Sequence, residues 1–183
     1  MVNLGRRQVG STVKPYLYTL AMEEGMSPCD KTTNQPITLT DGAGRPWSPR
    51  NGSKSRLGEQ VSLRWGLANS NNWISAYLMS LFTPESRVKL MKSFGIRSHL
   101  DPMLALSLGI CDISVAEMVD AYTAFPNKGI RVEPLYVTRI EDSNGNVIAS
   151  FNPEMHEIFS ENTSYKMIYM LRSVVDGGIG GRI

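Results

Sequence analysis

Only two cysteines and two histidines occur in 183 residues. Cys29 and Cys111 stand 82 positions apart, far from any C-x-x-C spacing, and neither His99 nor His156 is near them. A zinc site needs about four ligands in clustered pairs, so the sequence predicts no metal centre. The cysteines read as two small buried hydrophobes, and an oxidising compartment leaves a single long-range disulfide open. Nor is there an excess of charge, because nineteen basic against seventeen acidic residues leaves +2. That balance gives no basic surface for nucleic acid and no polybasic membrane anchor. Long apolar runs are missing too. The longest charge-free stretch, Trp65 to Pro84, is broken by Asn69, Ser70, Asn71 and Asn72, whereas a membrane span takes about 20 apolar residues. Met1 is not followed by a basic segment and an apolar core, so no export signal is read. What remains, 42% hydrophobic and 20% charged without repeats or low-complexity tracts, is the balance of one globular domain.

Val13, Tyr16, Leu17 and Leu20 recur at helical spacing. They predict a first helix from Ser11 to just before Gly25, a natural residue to follow a helix end. Pro15 is tolerated because first-turn N–H groups have no intrahelical partner. Residues 26–58, with Pro28, Pro36, Pro46, Pro49 and four glycines, read as a long irregular excursion, a length more often functional than accidental. Val61, Leu63, Trp65, Leu67 and Ala68 predict a short buried helix from Glu59 to about Asn69. A second follows from about Ser70, carrying Ile74, Tyr77, Leu78 and Leu81. Thr83-Pro84-Glu85 is a strong helix start, and that helix should bury Val88, Met91 and Phe94 and stop at Gly95. Ser114 to Glu117 fits a capping box, followed by an apolar stripe of Val115, Met118, Val119, Tyr122 and Phe125. Asn144-Gly145 between β-type runs predicts one hairpin, Leu135–Glu141 with Asn146–Phe151. A last helix is read from Glu161 to Val175, packed through Tyr165, Ile168, Tyr169 and Leu171, and no regular element is expected in Gly177–Gly181. Six or seven helices and one hairpin hold too little sheet for a two-layer α/β core.

Two segments carry candidate chemistry. Gly5 to Thr12 resembles a phosphate-binding loop, but Ser11 stands where lysine should precede the Ser/Thr, and four residues are too few for the strand that feeds such a loop. That reading fails. Ser11 and Lys14, by contrast, lie three apart at a helix start and share a face. A seryl hydroxyl becomes a nucleophile when a neighbouring base takes its proton. A lysine serves as that base if burial or nearby positive charge pulls its pKa toward neutrality, and the helix N-terminus favours a developing oxyanion. Taken alone, Ser11-x-x-Lys14 also fits an N-cap serine beside a solvated lysine. Ser70-x-Asn72, 59 positions beyond Ser11, is the second element expected of enzymes built on S-x-x-K. Its hydroxyl can pass a proton to a leaving amine, and its carboxamide can hold a substrate amide. A helix junction with Ser70 or an asparagine as cap explains the same residues.

Six stretches resemble the transpeptidase domain of bifunctional (class A) penicillin-binding proteins, of the kind found in Bacteroides-like bacteria. They are Arg7-Gln-Val-Gly-Ser-Thr-Val-Lys-Pro-Tyr16, Gly44-Arg-Pro-Trp-Ser-Pro-Arg-Asn51, Leu67-Ala-Asn-Ser-Asn-Asn72, Leu106-Ser-Leu-Gly-Ile-Cys-Asp-Ile-Ser114, Glu117-Met-Val-Asp-Ala-Tyr-Thr-Ala-Phe125 and Asn127-Lys-Gly-Ile-Arg-Val-Glu-Pro134. The resemblance runs in order across essentially the whole chain. It implies an α+β fold, and for residues 1–183 the helix-rich portion of it, with one hairpin and most of the central sheet missing. It also implies Ser11 as acyl-accepting nucleophile, Lys14 as its base, Ser70 as proton relay and Asn72 as binder of the substrate amide. The implied reaction moves a peptidoglycan stem peptide onto Ser11 and then onto a neighbouring amine, without a cofactor, and β-lactams acylate the same serine. The implied parent protein is membrane-anchored, carries a glycosyltransferase domain and works at the periplasmic face of the inner membrane.

Two departures stand out. No Lys-Thr-Gly motif follows the glycine-rich end, and Ile179 stands where the family usually has threonine. The absent strand would supply one oxyanion-hole N–H, a loss of about 10²–10³ in rate. The isolated chain is therefore expected to be weakly active or inactive, with core faces exposed. A serine D,D-carboxypeptidase or β-lactamase is the sibling reading, disfavoured because no acid stands where it would activate water. A non-catalytic helical scaffold is the other.

Overall fold

The computed structural model describes residues 2–181. The chain opens with strand β1 (Arg6–Gln8), a 3-10 turn (Gly10–Val13) and helix α1 (Lys14–Glu23). Strands β2 (Lys31–Thr33), β3 (Leu39–Thr40), β4 (Pro46–Trp47) and β5 (Gln60–Ser62) follow, then helices α2 (Leu63–Ala68), α3 (Asn72–Leu81) and α4 (Pro84–Ser93). A second 3-10 turn (Leu104–Leu108) leads to β6 (Asp112–Ser114), α5 (Val115–Thr123) and β7 (Ile130–Val132). The hairpin β8 (Arg139–Glu141) and β9 (Val147–Ser150), strand β10 (Met155–Glu157) and helix α6 (Glu161–Asp176) complete it.

Helix α1 is the axis of the molecule. Eight of its ten residues are buried, Lys14 among them, and it packs against α3, α4 and α6. Burial on all sides explains why its sequence is apolar nearly all round rather than striped. Tyr16, Phe94, Phe125 and Phe159 form the centre of the core, with ring centroids 4.8–6.4 Å apart. Glycine decides where the chain crosses this axis. At Gly109 (φ +79°) a Cβ would lie 1.9 Å from the Gly10 carbonyl oxygen, so the two backbones meet closely enough for Gly10 N–H to bond the Gly109 carbonyl at 3.2 Å.

Several expectations need correction. The first helix is a 3-10 turn up to Val13 and α-helical only from Lys14, which puts Ser11 before the α-helix rather than at its cap. Residues 60–62 form a strand paired with β2, because Val61 buries one face of that ladder while the helix starts at the Ser62 cap. Asn71, not Ser70, caps α3, accepting from the N–H groups of Trp73 and Ile74. Leu81, Val115 and Val119 are exposed, as are Tyr165, Ile168 and Tyr169. In α6 the packed face is instead Thr163, Ser164, Met167, Met170 and Ser173. Cys29 is exposed and both cysteines carry free thiols. The described strands form five two-stranded antiparallel ladders, where the sequence predicted one. Three were missed because their three-residue partners are distant in sequence, and β3–β4, a local pair, because each strand is only two residues long. Among the described residues, no helix is long and apolar enough to cross a membrane.

Candidate active site

The site is built from the start of α1 and the α2–α3 junction. Lys14 is 1% exposed, and its Nζ donates to the Ser70 carbonyl at 2.6 Å, to Asn72 Oδ1 at 2.7 Å and to Ser70 Oγ at 3.0 Å. Burial, reinforced by the Arg87 guanidinium, pulls its pKa down to about 8. The amine therefore gives up its proton far more readily than an ordinary lysine. With its third proton gone, the lone pair can accept from the Ser70 hydroxyl while the two remaining N–H groups keep the carbonyl and the carboxamide.

Ser70 is held by the end of α2. Its N–H bonds the Leu67 carbonyl at 2.9 Å, and the Asn71 N–H bonds Gly66 at 2.9 Å, the paired arrangement that closes a helix through a left-handed residue. Ser70 is that residue, at φ +49°. The Asn72 carboxamide is engaged on both sides, with Oδ1 on Lys14 and Nδ2 on the Arg50 carbonyl at 2.7 Å. One Nδ2 proton stays free for a ligand.

Ser11, Ser70 and Asn72 line one cavity of about 530 Å³, together with Asn51, Ser53, Trp65, Asn69 and Ile179. Ser11 lies exposed at its mouth, and no described residue hydrogen-bonds its hydroxyl. The structure thus brings Lys14, Ser70 and Asn72 into direct contact and Ser11 to the same cavity. The amine of Lys14 turns toward Ser70 rather than Ser11.

Several supporting residues escaped the sequence reading. Asn34 is fully buried. Its Nδ2 ties the Ser55 and Arg56 carbonyls and its Oδ1 accepts from Asn71 at 2.8 Å, fastening the 51–58 loop to the site. Asn51 Oδ1 accepts the Asn72 N–H at 2.9 Å; the sequence placed Asn51 in a stretch resembling the family but gave it no role. Elsewhere, Glu133, Glu154 and His156 bring ligand atoms within 4.8 Å of one another at a partly exposed edge. None of the three lines the cavity, and exposed carboxylates gather in this way without an ion.

A buried amine contacting a seryl hydroxyl and a carboxamide, with a second seryl hydroxyl at the mouth of the same cavity, is the donor set of a serine acyltransferase that uses lysine as base. Comparison with known proteins bears on the same point. The family model "Penicillin binding protein transpeptidase domain" matches residues 5–182, and the chain belongs to that family. It is 31% identical over 179 residues to penicillin-binding protein 2D of Bacillus subtilis, covering 96% of this chain and 26% of that protein. Penicillin-binding protein 1A of Haemophilus influenzae superposes with a TM-score of 0.86 at 22% identity, over 99% of this chain and 32% of that one. Penicillin-binding protein A of Mycobacterium tuberculosis, as its imipenem acyl-enzyme complex, gives 0.78 at 16% identity, over 93% and 44%. The chain spans about a quarter of the length of the Bacillus relative. Its fold is the α+β transpeptidase fold, represented by a helix-rich portion with small sheets.

Proposed function

We propose that this chain is the part of a peptidoglycan D,D-transpeptidase that supplies Ser11 as nucleophile, Lys14 as base, Ser70 as proton relay and Asn72 as binder of the substrate amide, and that by itself it is weakly active at most. Ser11 Oγ attacks the carbonyl carbon of the stem peptide's D-Ala–D-Ala bond and its proton passes to the Lys14 amine. The amide bond breaks, a proton reaches the departing D-alanine nitrogen through Ser70, and an acyl-serine is left. A neighbouring stem-peptide amine then attacks the acyl carbon, its proton returns through the same relay to Ser11, and the cross-link forms. A β-lactam, whose strained amide mimics that bond, stops at the acyl-serine. The parent protein in this reading is a class A penicillin-binding protein, membrane-anchored with a glycosyltransferase domain and facing the periplasm, and no cofactor takes part.

The observation that carries the reading is the buried Lys14 amine bonded to both Ser70 and Asn72 at the cavity that Ser11 lines. An acyl-enzyme of the similarly folded Mycobacterium tuberculosis protein supports it. The test is mass spectrometry after exposure to penicillin. The expected result is a slow adduct confined to the Ser11 peptide, lost in Ser11→Ala and slowed about 10²-fold or more in Lys14→Ala. A folded chain with no adduct at Ser11 under saturating penicillin would leave the scaffold reading standing instead.

A further inference from the structure

Arg87 is among the largest fully buried side chains of the protein, with 0% exposure. It reaches from α4 to the start of α1, where Nη2 donates to the Val13 carbonyl at 3.2 Å. Nε and Nη1 have no hydrogen-bond partner, and no ion pair among the described residues neutralises the guanidinium. Such a cation is costly, since burial strips its hydration and one neutral carbonyl returns little of it. An apolar side chain of similar length would fill the same space without that loss. Packing therefore gives no reason for an arginine at this position. Its neighbour does, because the carbonyl it holds belongs to the residue just before Lys14.

We propose that Arg87 is a positioning residue of the acyl-transfer site, a cation without a counter-ion, sealed behind α1, that adds to burial in making the Lys14 ammonium easier to deprotonate. The proposal rests on the reading of Lys14 as base. Two cations in a poorly solvated interior repel, and the cheaper proton to lose is the ammonium's, since a guanidinium holds its own far more strongly. Burial lowers Arg87 to about 9, which leaves it cationic at neutral pH, while Lys14 falls to about 8.

Among the described residues, no anion is paired with either cation. Ser70 and Asn72 on the α2–α3 side are neutral. The Cys111 thiol beside Arg87 is pushed up by burial and stays protonated. Tyr16 and Tyr18 on α1 and Tyr122 on α5 are likewise pushed up by burial. Of the two acids on α5, Asp120 is claimed by Arg131 at 2.7 Å and Glu117 by Arg97, Ser98 and Ser114. Glu23 lies at the opposite, C-terminal end of α1, where it accepts from Ser160.

The experiment is a pH titration of the Lys14 Cε resonance in the 183-residue chain labelled with 13C-lysine, assigned with Lys14→Met. Wild type is compared with Arg87→Met, Arg87→Gln and Arg87→Lys. The expected wild-type midpoint is about 8. Both neutral variants should raise it by at least about half a unit, with one full unit meaning about tenfold less free amine at pH 7. Arg87→Met should also keep or raise the melting temperature, and Arg87→Lys should restore the low midpoint. An ordinary lysine midpoint in wild type, or an unmoved midpoint in a folded neutral variant, overturns the proposal. So does failure of both neutral variants to fold, which would mark Arg87 as a structural residue. Because the readout is the titration of Lys14 itself, a missing Ser11 adduct would count against transpeptidation and leave this coupling intact.

Discussion

Ser70 occupies a backbone conformation that favours glycine, at φ +49° immediately after the end of α2. A side chain there costs about 1–2 kcal/mol relative to glycine, yet its hydroxyl lies 3.0 Å from Lys14 Nζ. Strain kept at a hydroxyl that touches a buried amine fits a proton relay better than a cap, especially since Asn71 does the capping. Ser70→Gly is therefore expected to leave stability unchanged or raise it by about 1 kcal/mol, as relief of strain offsets one lost hydrogen bond. Acylation of Ser11 should meanwhile slow by about 10²–10⁴. Urea unfolding and the penicillin adduct rate check the two halves, and a loss of stability without a loss of rate would return Ser70 to a structural role. Lys14 was legible in the sequence as a candidate because Ser11-x-x-Lys14 is a spacing. Arg87 was not, because nothing in its neighbours Ser86 and Val88 announces that its side chain turns inward.

Among the elements, α5 shows how much a local pattern can settle. The Ser114–Glu117 capping box forms as the spacing predicts, and it does more than close a helix. Glu117 also accepts from the N–H groups of Arg97 and Ser98 at 2.8 and 2.7 Å and from the Ser98 hydroxyl at 2.8 Å. Partial burial alone would raise this carboxyl, but hydrogen bonds from Ser114 and Ser98 pull it down to about 2. The folded form thus binds fewer protons than the unfolded chain between about pH 5 and 2, so the stabilisation is complete above that range and disappears as pH falls through it. Urea midpoints for wild type should drop across this range. Glu117→Gln should flatten that part of the drop and cost about 1–3 kcal/mol at pH 6, where one of the two accepting oxygens becomes an NH2 donor and the charge is lost. An identical acid dependence in both proteins would contradict the assignment. The same helix also shows where periodicity misleads. Val115 and Val119 fit the stripe but are 56% and 60% exposed, beside an open groove also lined by Val9, Ile113 and Met118.

At the scale of the molecule, the aromatic cluster joins what the chain order separates. Phe125 stacks near Tyr16 of α1, Phe94 after α4, Tyr122 of α5 and Phe159 before α6, and the Ser164 hydroxyl of α6 bonds its carbonyl at 2.5 Å. Phe125→Ala should cost about 3–5 kcal/mol. Since α1 bears Lys14, the variant should also lower the penicillin adduct rate at temperatures where it remains folded. Thermal melts paired with adduct formation test this, and a loss below about 1 kcal/mol would show that the cluster is not the hub of the core.

The sequence alone was sufficient for features whose cause is local. Helix caps at Thr83 and Ser114 depend on a hydroxyl a few positions from the N–H it accepts, and the Asn144-Gly145 hairpin depends on one turn. Ordered motifs also disclosed the family. Tertiary structure alone decided which faces of α5 and α6 are covered, which short strands pair across up to 108 positions, as Arg6 does with Ser114, and which charge stands behind Lys14. Those outcomes depend on the desolvation and contact of groups far apart in the chain, and no local spacing records who will be buried beside whom.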